Sequence, residues 1–137
     1  MSGNIEVQGP RLPVLPLLLD SPHSGRRFPA DFSAAVSEAE LRESEDCYVD
    51  ELYAAAPELG APLLAALWLR TYLDPNRNAG DVDLDLLDGP WPWEYVPSGK
   101  AKVGKALLWR TLEDGRPIYP RKLKPDTVRG RIERCHA

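Results

Sequence analysis

The sequence predicts an α/β domain with a mixed, largely parallel sheet flanked by helices. Three observations carry this. The apolar runs Val14–Leu19 and Pro62–Leu69 have the length of strands and no polar face, which fits strands covered on both sides. Between them Leu41, Val49, Leu52, Tyr53, Ala56 and Leu59 recur at helical spacing. Strand, helix, strand in that order is a βαβ unit, which pairs its strands in parallel with a right-handed crossover.

Taken in order, residues 1–13 read as a flexible lead-in of Gly, Pro and polar residues without periodicity. Residues 14–137 read as a single α/β domain. Pro16 lacks an amide hydrogen, so the first strand gains ladder bonds only after it. The helical pattern is read over roughly Glu45–Leu59, with Pro57 loosening its last turn and Gly60 as its stop. The second strand runs into a polar corner, "RTYLDPNRNAGD". Beyond Gly80 the chain is rich in Pro, Gly and Trp, the composition of a functional loop or lid. "KALLWRTLEDGRPIYPRKL" predicts a hairpin about Asp114-Gly115. Pro125 opens a helix through Cys135, proline being tolerated in a first turn. No helix stop precedes Ala137, so the sequence is expected to be the N-terminal part of a larger domain, with an incomplete sheet whose apolar surface favours self-association.

Composition narrows the function classes. A chain of 137 residues that is 43% hydrophobic holds enough apolar material for a real core. Net charge is -4 and the pI is near 5.2, which argues against nucleic acid as a partner. The basic cluster Arg121, Lys122, Lys124, Arg129, Arg131 and Arg134 is broken by Pro125 and Asp126 and reads as a solvated helix face. Cys47 and Cys135 are too few for a disulfide framework and lack metal-type spacing. No signal peptide is visible and Val14–Leu19 is too short to span a bilayer. The expected setting is cytoplasmic, without a membrane partner.

Three stretches could carry chemistry. His23, in "DSPHSG", lies just past the first strand, where open α/β sheets bind ligands. Imidazole there serves as a metal ligand, a base or an incidental turn residue. Glu43, Glu45, Asp46, Asp50 and Glu51 crowd the following helix start, which the helix dipole alone explains. Asp46 and Asp50, four apart, repel unless a positive group sits between them. The corner after the second strand holds Arg70, Asp74, Asn76 and Arg77. Arginine forks match a carboxylate in two-point fashion, and an Asp-Pro-Asn turn with surface arginines accounts for the same residues. Cys47 lies among acids, a poor setting for a thiolate nucleophile. The tryptophans read as core and loop anchors, and no phosphate-binding glycine loop is present.

Together, "PHSG" after a strand, "EDCYVDELY" on a helix and "RTYLDPNR" after the next strand resemble the N-formylglutamate amidohydrolase (deformylase) family, in order and spacing from about Leu17 to Ile132. "PIYPRKL" and "RIERCHA" are similar to the family's middle segment. The resemblance implies a zinc-peptidase-like, phosphorylase/hydrolase-like fold, related to zinc carboxypeptidases and aspartoacylase-like deacylases. It implies zinc as cofactor, with His23 as a ligand and Asp46, or Glu45 in the other register, as the acidic ligand. Arg70, Asn76 and Arg77 would hold a substrate carboxylate, Asp74 would brace that corner, and Ser24 and Gly25 would support the histidine loop. The implied reaction is metal-assisted hydrolysis of a formyl or acyl amide on a small acidic amino acid, as in histidine degradation, with a nearby carboxylate moving the proton. Family members are about twice this length, and their later half supplies a second histidine ligand. Two further readings follow: a carboxylate-binding module without hydrolysis, or an inactive fragment.

Overall fold

The computed structural model describes residues 4–11 and 14–136. Three short strands form one sheet: β1 (Ile5–Gln8), β2 (Leu19–Ser21) and β3 (Leu63–Ala66), in the order β1-β3-β2. β2 and β3 run parallel, with Leu19 opposite Leu63 and Ser21 opposite Ala65. β1 lies antiparallel on the other side of β3, with Ile5 opposite Ala66. The βαβ unit and the mixed sheet are as expected. The described residues split evenly between one parallel and one antiparallel pairing rather than being largely parallel.

β1 falls inside the stretch read as a loose lead-in, and that reading is corrected. Ile5-Glu6-Val7-Gln8 alternates β-branched and polar residues, which suits an edge strand. All four side chains are exposed, so the strand is held by its ladder rather than by burial.

The first apolar run is also corrected. Only its last residue, Leu19, is in a strand, and Val14, Leu15, Leu17 and Leu18 are exposed. Prolines keep this segment from forming a ladder. It bonds instead at intervals to the stretch before β3, through Arg11 N–H to Pro57 O, Leu15 N–H to Gly60 O and Leu19 N–H to Pro62 O, each 2.8–3.0 Å. The second run shortens to β3.

A short helix, α1 (Glu38–Arg42), precedes the span expected to be helical, and the single helix expected over Glu45–Leu59 shrinks to α2 (Val49–Leu52) with a 3-10 turn at Pro57–Leu59. The earlier start is a capping box: the Ser37 hydroxyl accepts from Glu40 N–H while the Glu40 carboxylate accepts from Ser37 N–H. Tyr48 breaks the run by adopting the left-handed region, φ +63°, directly before α2.

Beyond β3 most of the chain is irregular but pinned. Buried Asp81 accepts from both Ser98 N–H, 2.9 Å, and the Ser98 hydroxyl, 2.5 Å, which pins the loop read as functional or lid-like. The hairpin turns at Asp114-Gly115 as predicted, with Ile118 N–H bonded to Arg110 O and Leu112 N–H to Arg116 O. Its arms are a single bridge, Thr111 with Pro117, rather than strands. The final helix, α3 (Pro125–Cys135), starts where expected but closes at Cys135 with His136 as its cap, rather than continuing without a stop. It buries Val128, Arg131, Ile132 and Cys135 on one face against Phe32, Tyr72 and Tyr119. Arg131 therefore departs from the solvated basic face. It is fully buried, its guanidinium lies 3.8 Å from the Tyr72 ring centroid, and it donates to Tyr72 O and the Tyr119 hydroxyl. Among the described residues no helix is long and apolar enough to cross a membrane.

Candidate metal and carboxylate site

The histidine loop is a bulge in an otherwise continuous pairing. β2 leaves β3 at Ser21, and contact resumes where Arg27 bridges Trp68, with Arg27 N–H 2.8 Å from Leu67 O. Pro22–Arg26 arches between these points. Gly25 sits at the closest approach: a Cβ there would lie 2.2 Å from the Trp68 carbonyl oxygen. Glycine is needed for space, not for an unusual φ. The Ser21 and Ser24 hydroxyls bond each other at 2.6 Å within the arch. Asp46 N–H donates to the His23 carbonyl at 3.0 Å, which fastens the segment before α2 to the loop.

The buried His23 ring is clamped by two carboxylates. Nε2 is 2.8 Å from Asp74 Oδ1, and Nδ1 is 3.1 Å from Asp46 Oδ2. Asp74 is wholly buried and also accepts from Arg70 Nη2, 3.1 Å, and Asn76 N–H, 3.0 Å. Burial alone would raise its pKa. The hydrogen bond and charge of His23, the charge of Arg70 and the Asn76 amide overcome that and hold it down at about 2. As an ionised carboxylate Asp74 only accepts, so His23 Nε2 carries the proton. In a neutral ring Nδ1 is then a lone pair facing a second acceptor, Asp46. Two acceptors 3.1 Å apart call for a proton or a cation between them. An imidazole nitrogen and a carboxylate oxygen converging in this way, with the far ring nitrogen on a buried carboxylate, are the donor types and outer support of a zinc site. Among the described residues no group of three or more His, Cys, Asp or Glu side chains converges to hold a metal.

Arg70 ties this centre to a cavity. Besides Asp74 it reaches Asp46, with Nη1 3.6 Å from Oδ1, and its guanidinium lies 4.9 Å from the Trp109 ring centroid. The cavity beyond has a volume of about 380 Å³ and is lined by Arg70, Arg77, Lys100, Lys105 and Trp109, with Glu113 as its one carboxylate among the described residues.

The relatives of the chain can now be set beside this geometry. A family model described as N-formylglutamate amidohydrolase matches residues 15–137. The chain belongs to the N-formylglutamate amidohydrolase family. It is 36% identical over 112 residues to an N-formylglutamate deformylase of Pseudomonas aeruginosa, and 34% identical over 112 residues to one of Pseudomonas putida. Each match covers 81% of this chain and 36% of the relative. The crystal structure of N-formylglutamate amidohydrolase from Ralstonia eutropha JMP134 superposes with a TM-score of 0.90 at 44% identity, over 97% of this chain and 48% of that one. The chain thus spans about a third of the length of these curated relatives and about half of the solved one.

Within this amidohydrolase-family chain, the residues singled out from sequence fall into three groups. His23, Asp46, Asp74 and Arg70 meet directly. Arg77 lines the adjoining cavity, its Nε and Nη1 committed to the carbonyls of Lys105 and Asn76. The Asn76 side chain is exposed and lines a different, smaller pocket beside the sheet, so only its backbone joins the centre. Glu45 does not face His23: its buried carboxylate binds Arg26 and Arg42, each at 3.0 Å. Arg26 also reaches Asp50 and Glu51, so three of the five acidic residues read as a helix start form an ion cluster around one arginine. His136 caps α3 and its Nε2 donates to the Arg77 carbonyl at 2.8 Å. Sequence reasoning missed Arg26, Lys105, Trp109 and Glu113. Nothing local marks the last three, which reach the cavity only through the fold of the irregular region.

Proposed function

We propose that this chain supplies the metal-binding and carboxylate-binding part of a zinc-dependent amidohydrolase that removes a formyl group from an acidic amino acid. The observation that carries the proposal is His23 held between Asp74 and Asp46 at 2.8 and 3.1 Å, beside a cationic cavity. The names of the relatives, which deformylate N-formylglutamate, support the substrate class.

In this reading His23 Nδ1 and an Asp46 oxygen are two protein ligands of zinc. Asp74 accepts a hydrogen bond from Nε2–H, which fixes the tautomer and keeps the Nδ1 lone pair on the metal side. Zinc bound there supplies polarisation of the formyl carbonyl and a bound water acidic enough to act near neutrality. Arg70, braced by Asp74, presents its fork where a substrate carboxylate enters the cavity, and Arg77 adds positive charge. Positioning the carboxylates fixes the formyl nitrogen relative to His23, the contribution that orientation makes to the rate.

Zinc titration of the purified protein by calorimetry tests the reading. Wild type binds one zinc, and His23→Ala and Asp46→Asn each weaken it by at least about tenfold. A wild type that takes up no zinc, or a His23→Ala that binds it as well, overturns the assignment. That two ligands rather than three converge among the described residues favours a second reading, carboxylate binding without hydrolysis. Dicarboxylate binding without zinc uptake would establish it.

A further inference from the structure

We infer that Lys105 and Trp109 form a second carboxylate subsite, which makes the cavity selective for dicarboxylic over monocarboxylic acyl amino acids. The inference rests on the substrate class proposed above and adds a residue that sets specificity within it. Lys105 comes from a distant part of the chain that meets the Arg70 corner through backbone carbonyls, of Lys105 and Leu107, and the Trp109 ring.

Four cationic side chains and one carboxylate line the cavity, and its lining stays net positive with Arg70 paired to Asp74 and Asp46. The cations are not equivalent. Lys100 is exposed, whereas the Lys105 side chain is only 12% exposed. Its Nζ is aimed by two contacts, donating to Thr111 O at 2.9 Å and lying 4.1 Å from the Trp109 ring centroid. An ammonium has three hydrogens, so donation to Thr111 leaves it others for an incoming anion. A carboxylate already approaches it: exposed Glu113 lies 3.6 Å from Nζ. A carboxylate group therefore reaches this position from the solvent side.

Burial holds the Lys105 ammonium below the ordinary lysine range, Glu113 pulls it back up, and Arg70 adds to the lowering. A second carboxylate relieves that repulsion.

Spacing fits two carboxylates on one ligand. Arg70 Cζ and Lys105 Nζ lie 4.9 Å and 4.1 Å from the same Trp109 centroid, so they are separated by at most the sum of those distances, about 9 Å. A ligand with three carbons between its carboxylates, as in glutamate, is long and flexible enough to meet both cations at a separation within that bound.

The test compares glutarate with butyrate, which is glutarate lacking one carboxylate, by calorimetry on the purified protein without added metal. Wild type prefers glutarate, Lys105→Met lowers glutarate affinity by about 10- to 100-fold while leaving butyrate unchanged, and Lys105→Arg keeps the preference. An unchanged glutarate-to-butyrate ratio in Lys105→Met overturns the proposal, as does an equal loss for both ligands or a wild type that binds neither. Zinc uptake is scored separately. Zinc bound without glutarate preference removes the subsite and leaves the proposed function, and the reverse removes the metal reading and leaves the subsite.

Discussion

Asp74 is where the ring of His23, the charge of Arg70 and the backbone of Asn76 converge, and Asp74→Asn separates their contributions. Oδ1 accepts from both His23 and Asn76, while Oδ2 accepts from Arg70. The amide best keeps its oxygen toward the two donors, which sets its NH₂ against Arg70 Nη2, donor facing donor. The loss is one charge-assisted hydrogen bond plus the pairing of a largely buried guanidinium. That is about 3 kcal/mol, at the low end for breaking a buried ion pair because Asp46 remains near Arg70. For a chain of this size the melting temperature should fall by about 10 °C, at roughly 3–4 °C per kcal/mol. Thermal and denaturant melts measure it, and a double-mutant cycle with Arg70→Met should return a coupling of about 2 kcal/mol. Strictly additive costs, or an Asp74→Asn protein that melts within about 2 °C of wild type, would refute the reasoning.

Gly25→Ala should cost about 3 kcal/mol or more, since the new methyl meets backbone at 2.2 Å and must push the histidine loop off Trp68. It should also lower zinc affinity, and a neutral melt would show the arch is not held as described. Alkaline stability tests the core around α3. Burial, helped by the hydrogen bond to Asp31, pushes the Tyr72 hydroxyl up to about 12, and burial pushes the Cys135 thiol up to about 11. Both pKa values are raised on folding, so their contribution is whole below about pH 9 and is lost as pH rises to about 12. The loss is on the order of 2–3 kcal/mol for each. Urea titrations at pH 8 and pH 11 should show it, and Cys135→Ala should shrink the drop; a flat profile counts against this packing.

Much of the candidate centre was legible because its chemistry is local. The proline-bounded histidine turn and the Arg-Asp-Pro-Asn-Arg corner each lie next to a strand of one βαβ unit, so parallel pairing brings them to the same edge. The pairing of His23 with Asp74 follows from that register. Other features were not legible because burial and long-range pairing decide them. The apolar run at Val14–Leu18 looks like a core strand, yet its prolines deny it a ladder and leave it exposed. Periodicity across Leu41–Leu59 hides a left-handed residue at Tyr48 and an arginine, Arg26, that gathers three acids. Asn76 shares the corner motif but turns to another pocket, and Lys105, 35 positions beyond Arg70, takes the place beside it. Arg131 looks like surface charge and is instead the buried centre of an aromatic cluster.

The claim that His23 offers Nδ1 to a metal, with Nε2–H held by Asp74, is tested most directly by ¹⁵N NMR of the two histidines during zinc titration. His136, which donates Nε2–H to a carbonyl, serves as the internal reference. The account predicts that His23 Nε2 stays protonated throughout, that the His23 Nδ1 resonance moves with zinc to a one-to-one endpoint, and that His136 does not respond. Zinc moving Nε2 instead, or leaving both His23 nitrogens unchanged, would contradict it.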